Sequence, residues 1–446
     1  MIGGLGDVGK IPELRKRIVF TLLMLAVYRF GVFVSTPGID VDALRKMFDT
    51  GGGTLFGMIN MFSGGSLENF SIFTLGIIPY ISVSIIIQVL TPTIPALEAL
   101  KKEGEAGRRV LTRYTRQGTI LLAILQSMAI SFGLEKQGLV IVPGWTFRIG
   151  AIISLTAGTA FLMWLGEQIT EKGIGNGISI LIFAGIVARM PQVLALTADL
   201  IDKGEIQPLS GLLLIAFSIL TVAAIVFVER SHRKIPIQYP RRMVGKNLAQ
   251  AQTQYMPLKV NMAGVIPPIF ASSFLVVPAT IASFSPNEFF EDLGAWVQPG
   301  TWSYTVIFVA LIILFSFFYT AIIFNPEEMA ENLKKNGGFI PTVRPGKQTA
   351  DYLYAVLNRL TVWGSIYIAI VCVVPQLFYF EMGAEQFAYV FGGTAILIAV
   401  GVTLDTASQI ESYVVARNYE AFMSKSSKKR GGIGSMSYAR RRILRR

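Results

Sequence analysis

Long apolar runs separated by short polar segments dominate the chain. A helix needs roughly 20 apolar residues to cross a bilayer, and the fifth of these runs is short and marked by glycines. The ten runs lie at 18–34, 71–91, 118–134, 150–166, 176–190, 210–228, 261–283, 304–324, 356–378 and 389–409. The sequence does not show the alternating segments of a membrane β-barrel, each about ten residues long. The pattern predicts an all-α membrane protein with ten transmembrane helices.

Composition supports a lipid environment, and the placement of charge predicts the orientation. Hydrophobic residues make up 52% of the chain and charged residues only 15%, whereas soluble proteins carry about a quarter charged residues. The two termini and the loops after spans two, four, six and eight together carry 33 Lys and Arg. This count assigns Arg359 to the loop before it and Arg189 to the loop after it. Six lie in the remaining loops, and Arg29 lies inside the first span. Because Lys and Arg are enriched in cytoplasmic loops, both termini are predicted to be cytoplasmic.

A short motif occurs at matching places in two sets of five spans. GIIPYI at 76–81 begins the second span, and GVIPPI at 264–269 begins the seventh. A weaker echo joins GIGNGISILI in the fifth span to FGGTAILI in the tenth. Five is odd, so the two sets would have opposite topology, as in inverted repeats. We therefore predict two halves, at 1–208 and 209–410, followed by a basic cytoplasmic tail at 411–446.

Isoleucine recurs at helical spacing on these matched spans. Ile77 and Ile81 are four residues apart, as are Ile178 and Ile182, so each pair shares one helix face. The seventh and tenth spans contribute Ile269 and Ile398. Such pairs usually pack against a neighbouring helix or lipid, so the spacing shows only that a shared apolar centre is geometrically possible.

Five motifs, three of which overlap the ones above, together resemble the SecY family, the channel subunits of the bacterial protein translocase. They are NMFSGG (60–65), EQITEKGIGNGIS (167–179), KVNMAGVIP (259–267), FNPEEMAENLKKNGGFIPTVRPG (324–346) and FGGT (391–394). The resemblance runs in order from about Leu14 to about Tyr419. It implies a two-half clamshell of ten helices around an hourglass pore. It also implies a channel that passes unfolded secretory polypeptides and releases membrane segments laterally into the cytoplasmic membrane of a bacterium.

The resemblance assigns three functional parts to this chain. The family's pore ring falls on Ile77, Ile81, Ile178, Ile182, Ile269 and Ile398. Its plug, a short segment that seals the resting channel, falls at about 53–70, where the residues of interest are Met58, Ile59, Met61, Phe62, Ser63, Gly64 and Gly65. Its lateral gate lies between spans two and three on one side and spans seven and eight on the other. The polar residues expected at that seam are Gln126, Ser127, Ser272 and Ser273, although hydroxyls there could equally bond to their own helix.

The driving force is expected to come from outside the chain. The sequence contains no phosphate-binding loop, no metal-ligand cluster and no nucleophile beside a histidine, so we predict neither enzyme activity nor a cofactor. The resemblance implies docking of the SecA motor ATPase or the ribosome on the long basic loops at 229–259 and 325–352. The expected contact residues are Arg344, Arg233, Lys234, Arg241 and Arg242. It also implies SecE and SecG as partner subunits, with signal sequences, unfolded secretory chains and anionic lipids as further partners.

An inverted-repeat secondary transporter for a small solute is the alternative prediction. Such transporters usually place ionisable or ion-coordinating groups near the middle of the membrane, where this chain carries isoleucines. Arg29 is expected to have a structural role, either by pairing within the bundle or by reaching the lipid headgroups. Asp405 in the tenth span has no assigned role.

Overall fold

The computed structural model describes residues 11–50, 60, 63–204, 206–239, 243–244, 247–248, 253–284, 296, 301–382, 387 and 390–415. Most of these residues are helical. This outcome follows from the apolar runs, because a chain in lipid must satisfy its backbone hydrogen bonds internally. The helices within the described ranges are α1 (Pro12–Gly31), α2 (Val41–Thr50), α3 (Ile78–Thr93), α4 (Pro95–Lys102), α5 (Glu105–Lys136), α6 (Trp145–Lys172), α7 (Gly177–Asp202), α8 (Pro208–Glu229), α9 (Ile266–Phe284), α10 (Trp302–Ile323), α11 (Pro326–Lys335), α12 (Lys347–Glu381) and α13 (Gly393–Val415).

The helices confirm a polytopic all-α membrane fold. In the described part of the chain, seven helices are individually long and apolar enough to cross a bilayer: α5, α6, α7, α8, α10, α12 and α13. The bent pair α3 and α4, with an angle of 96° between them, is an eighth candidate. Helices α1 and α9 occupy the two remaining predicted spans, so the described helices are consistent with the predicted ten.

The motif shared by the two halves produces the same local structure twice. Gly76 and Gly264 have φ values of +58° and +64°, in the left-handed region that glycine enters without a steric penalty. Each lies two residues before the first residue of a helix, Ile78 of α3 or Ile266 of α9. The recurring glycine therefore turns the chain sharply into a membrane helix, and the proline after it is tolerated within the first helical turn.

Several boundaries differ from the sequence prediction, and two are instructive. Of the residues expected to begin the second span, Ser71 forms a β-bridge with Ser35, residues 72–77 form turns, and the helix begins only at Ile78. Helix α5 begins at Glu105, well before the predicted span, because its first turns are charged and continue the helix beyond the apolar stretch. Hydrophobicity locates the lipid-facing part of a helix but not the helix end.

The two long basic loops fold together into one unit, the basic-loop unit. Strands β1 (His232–Gln238) and β4 (Thr253–Lys259) pair antiparallel within the first loop, and β2 (Met243–Val244) pairs with β3 (Asn247–Leu248) between them. Gln238 at the end of β1 exchanges two backbone hydrogen bonds with Phe339 of the second loop, at 3.0 and 2.9 Å. A shared apolar cluster supports this bridge, and its buried members are Ile235, Leu258, Ile340, Leu353 and Leu357.

Candidate functional site

Five of the six candidate isoleucines belong to one apolar cluster drawn from most of the membrane helices, and the sixth, Ile178, packs against it. These five are buried, with at most 8% of their surface exposed, and Ile178 is half-buried. Five candidates lie on α3, α7, α9 and α13, and Ile77 directly precedes α3. The remaining members come mainly from α1, α6, α8, α10 and α12, and Leu67 and Phe73 from the segment before α3 also belong to the cluster. The structure therefore brings together residues that are more than 300 positions apart in the chain.

Glycines allow the helices that carry these isoleucines to pack closely. A Cβ atom at Gly177, the first residue of α7, would lie 1.9 Å from the carbonyl oxygen of Gly166 on α6. A Cβ atom at Gly393, the first residue of α13, would lie 1.6 Å from the carbonyl oxygen of Val371 on α12. Small residues commonly permit this approach between membrane helices. The glycines of the two echoed motifs thus place the helices that carry Ile178, Ile182 and Ile398.

At the seam expected between the halves, helices of the two halves are in contact. Helix α9 packs against both α3 and α5. The buried Ser127 donates its hydroxyl to the carbonyl oxygen of Ile124 at 2.9 Å, and the buried Ser272 donates to that of Ile269 at 3.0 Å. Of the two expectations for these hydroxyls, bonding to their own helix is the one observed. Gln126 is half-buried and Ser273 is buried.

The residues just before α3 form a buried and polar turn. Of the predicted plug residues, Met58, Ile59, Met61 and Phe62 lie outside the described residues. Ser63, Gly64 and Gly65 are described. Ser63 is 1% exposed, and both glycines have positive φ. The turn is held internally, because Gly65 donates its backbone N–H to the carbonyl of Asn60 at 2.9 Å and Ser66 donates its hydroxyl to the carbonyl of Ser63 at 2.6 Å.

Three side chains of the membrane helices bind this turn, and the exposed Arg45 of α2 also donates to the side-chain oxygen of Asn69 in the turn, at 2.6 Å. Tyr28 at the end of α1 donates its hydroxyl to the carbonyl oxygen of Ser63 at 3.3 Å. Arg29 donates from Nη1 to the carbonyl oxygen of Gly64 at 2.9 Å, and its guanidinium lies 5.1 Å from the centre of the Phe33 ring. Arg29 thus has a partner within the bundle, one of the two roles expected for it.

The third side chain is Arg189 of α7, which forms an ion pair with Glu68. Sequence reasoning missed both residues, as well as Tyr28. An arginine in the apolar fifth span is itself a signal, since ionisable residues within membrane segments are rare and usually functional. The identity of its partner could not be inferred, because Glu68 lies 121 residues away in the chain.

The candidate partner-binding residues are split between described and undescribed segments. Arg233 and Lys234 are exposed on β1, and Arg344 is exposed on the second basic loop. The bridge at Phe339 therefore places all three on the same basic-loop unit. Arg241 and Arg242 lie outside the described residues. Asp405 forms an exposed ion pair with Lys259 at 3.4 Å, a contact worth about 0–1 kcal/mol at a surface.

Solved structures share this architecture. A structure of a protein-conducting channel superposes with a TM-score of 0.65 at 16% identity, over 89% of this chain and 92% of the other. A second, in which the plug domain of a SecY protein stabilises the closed channel and maintains a membrane seal, has a TM-score of 0.63 at 16% identity over the same shares. Sec61 in the canine ribosome–channel complex from the endoplasmic reticulum has a TM-score of 0.62 at 16% identity, over 89% and 92%. At this identity the likeness establishes the fold.

Sequence comparison establishes the family. The SecY family model matches residues 71–407. The protein translocase subunit SecY of Escherichia coli K12 is 48% identical over 94% of this chain and 96% of its own length. That of Pseudomonas aeruginosa is 46% identical over 96% of this chain and 97% of its own length. This chain belongs to the SecY family.

Proposed function

We propose that this chain is a protein-conducting channel whose constriction is formed by Ile77, Ile81, Ile178, Ile182, Ile269 and Ile398. The observation that carries the assignment is that five of the six are buried in one apolar cluster and the sixth, half-buried, packs against it. Its relatives are translocase subunits, and its fold is that of a protein-conducting channel. Family membership argues against the alternative of a secondary transporter for a small solute.

The chemistry of the cluster suits this task. An unfolded polypeptide cannot cross hydrocarbon, because each unpaired backbone N–H or C=O group costs several kcal/mol there. The conduit must therefore be wet, and a wet conduit needs a narrow apolar barrier to exclude ions. Branched aliphatic side chains can form such a barrier by dewetting. They make no hydrogen bonds, so they do not retain the passing chain, and isoleucine is stiff at χ1.

Residues 53–70 act as the plug in this proposal, and a lateral exit opens between α3 and α5 on one side and α9 and α10 on the other. The described end of the plug, residues 63–70, supports the first assignment because bundle side chains bind it beside the apolar cluster. The packing of α9 against α3 and α5 supports the second. With Ser127 and Ser272 bonded to their own helices, the seam is held mainly by apolar contacts that can separate.

The orientation and partners follow from the charges and from the relatives. The protein is a multi-pass membrane protein, and we place it in the bacterial cytoplasmic membrane with both termini in the cytoplasm. Its halves are residues 1–208 and 209–410. The exposed arginines and lysine of the basic-loop unit would bind SecA or the ribosome. Sec61, which shares this fold, occurs in a complex with the ribosome. SecE, SecG and anionic lipids complete the assembly, and residues 411–446 form the basic tail.

Crosslinking tests the constriction. The chain has one cysteine, the buried Cys372, so its replacement by serine gives a background for single-cysteine variants. Ile81→Cys and Ile269→Cys should crosslink to a secretory chain stalled in transit. Ile219→Cys on α8 is the matched control, because Ile219 is 64% exposed on the outer face of the bundle. Crosslinking of Ile219→Cys at the same yield as the two ring variants would overturn the assignment.

A further inference from the structure

We propose that Arg29 and Arg189 are positioning residues that latch the turn at 63–70 in the closed channel, and that opening requires both contacts to break. The inference rests on the proposed role of this turn as the described end of the plug. It adds a specific device to that role: two cations on different helices, α1 and α7, bind two different acceptors on the same short turn.

The first contact fixes the backbone of the turn. Arg29 donates to the carbonyl oxygen of Gly64, and the neighbouring Tyr28 donates to that of Ser63. Both carbonyls belong to a turn in which Gly64 and Gly65 have φ values of +67° and +88°. These bonds form only when the turn presents its carbonyl oxygens toward α1, so they report on the conformation of the turn as well as its position.

The second contact fixes a side chain. Glu68 pairs with Arg189, and it also accepts a hydrogen bond from the side-chain amide of Asn60 at 2.6 Å. The side chains of Arg189 and Glu68 are only 13% and 23% exposed. Removing one member of a shielded pair leaves the other charge uncompensated, which penalises the state that buries it. In this protein that state is the one with the turn docked.

Close packing of the backbones allows the latch contacts to form only when the turn is fully docked on α7. A Cβ atom at Gly64 would lie 2.8 Å from the Cα atom of Gly185 on α7, and one at Gly185 would lie 3.2 Å from the Cα atom of Gly64. Gly185 lies one helical turn before Arg189 on the same helix. The turn therefore rests directly on α7, and the guanidinium of Arg189 reaches Glu68 from the next turn of that helix.

The latch explains how the channel can stay closed at rest and still open reversibly. When the turn leaves its site, the carboxylate of Glu68, the two guanidinium groups and the freed carbonyls exchange protein partners for water. Charge-assisted hydrogen bonds are strong, but their replacement by water offsets most of that strength. Closed channels are favoured by several such bonds together, and no single bond has to be strong enough to hold the channel permanently shut.

Resting ion conductance tests the latch. The full chain, assembled with its membrane partners, is reconstituted into planar bilayers without any secretory substrate. Glu68→Gln and Arg189→Gln should each raise the resting conductance about tenfold, as expected when one partner of a shielded ion pair is removed. The charge-swapped double variant Glu68→Arg with Arg189→Glu should restore most of the seal. Arg29→Met should also raise the conductance, whereas Arg29→Lys, which keeps a donor, should raise it less.

A second ion pair provides the matched control. Arg148 and Glu135 join α6 to α5 at 2.6 Å, and their side chains are 22% and 17% exposed, which is close to the values for the latch pair. Glu135→Gln should leave the resting conductance unchanged, because this pair does not touch the turn. Equal conductance in Glu135→Gln and Glu68→Gln, or a charge swap that rescues nothing, would overturn the latch.

The outcomes separate the latch from the function on which it rests. A wild-type channel that closes at rest and conducts a stalled secretory chain supports the proposed function whatever the variants do. If wild type behaves in this way and Glu68→Gln matches it, the latch is wrong and the channel assignment stands. If wild type gives no crosslink from Ile81→Cys or Ile269→Cys to a stalled chain, the constriction itself is wrong.

Discussion

The isoleucine cluster and the turn at 63–70 lie side by side but are held by opposite kinds of contact. The cluster is apolar, and its members come from most of the membrane helices. The turn is buried and mostly polar. Its Leu67 belongs to the same apolar cluster, but the turn is also bound through particular carbonyl, hydroxyl, carboxylate and guanidinium groups. Apolar packing has no preferred direction, whereas a hydrogen bond has one. In the proposed channel, the apolar constriction should therefore tolerate conservative substitutions, whereas the turn, which must return to one position, should not.

The largest effect is expected where the turn touches α7. Gly64→Val would place a branched side chain in a left-handed backbone conformation and within 2.8 Å of Gly185, so the turn could not dock. We expect the resting conductance to rise more than in either single variant of the Arg189–Glu68 pair. Single-channel recording in bilayers measures this.

Gly104 offers the control for that variant. Its φ is +71°, close to the +67° of Gly64, but no atom lies within 4 Å of a Cβ built there. Gly104→Val also places a β-branched residue at a positive φ, and therefore also strains the backbone, but without the clash. A leak of equal size in both variants would mean that general destabilisation, and not undocking of the turn, opens the channel.

A polar residue in the constriction should have the next largest effect. Ile182→Asn places an amide in the apolar cluster, which favours water there and weakens gating by dewetting. We expect a severalfold rise in resting conductance. Ile225→Asn is the control, because Ile225 is also fully buried in the cluster but lies outside the proposed ring. A leak from Ile225→Asn as large as that from Ile182→Asn would break the distinction between ring and surrounding packing.

A conservative change in the constriction should have a small effect. Ile81→Leu keeps the apolar surface and the side-chain volume, and such exchanges usually cost less than about 1.5 kcal/mol even in tightly packed cores. We expect the resting conductance to stay within about twofold of wild type, a shift of well under 1 kcal/mol. Parallel conductance and secretion assays measure it. A large leak from this variant would show that the ring, like the turn, depends on exact shape.

The smallest effect is expected at the seam. Ser127→Ala removes a hydroxyl whose bond, within the described residues, is to the carbonyl oxygen of Ile124 in the same helix, so we expect no contact between helices to be lost. The rate at which a signal sequence inserts laterally into lipid should be unchanged. A clear acceleration would indicate that Ser127 bridges α5 and α9 in some state of the channel, and would show that polar atoms matter at the seam as they do at the turn.

The sequence predicted the parts of this fold that depend on periodicity and glycine. Gly76 and Gly264 mark matching helix starts because both require a positive φ, and the isoleucines four residues apart share a cluster because helical geometry aligns them. The hairpin of the first basic loop was not predicted, because the segment HRKIPIQ carries only two buried residues, Ile235 and Ile237, and otherwise resembles a solvated loop. Their burial depends on the second loop packing over them.

The contacts of the turn could not be predicted for a different reason. Glu68 and Arg189 are each visible in the sequence as charges near apolar spans, but their pairing depends on how α7 is placed against the turn. That placement is set by the approach of Gly64 to Gly185, a contact between residues far apart in the chain. A single sequence shows which residues are costly to bury but does not show which of them meet.

The bridge between Gln238 and Phe339 has a mechanical consequence. One basic loop connects α8 to α9, and the other connects α10 to α12, yet their backbones are bonded and their apolar faces share one cluster. In the proposed channel, a motor that pushes on either loop would therefore apply torque to four membrane helices at once, with α9 of the proposed lateral exit among them. Force delivered to the two loops would in this way spread the seam without a separate transmission element.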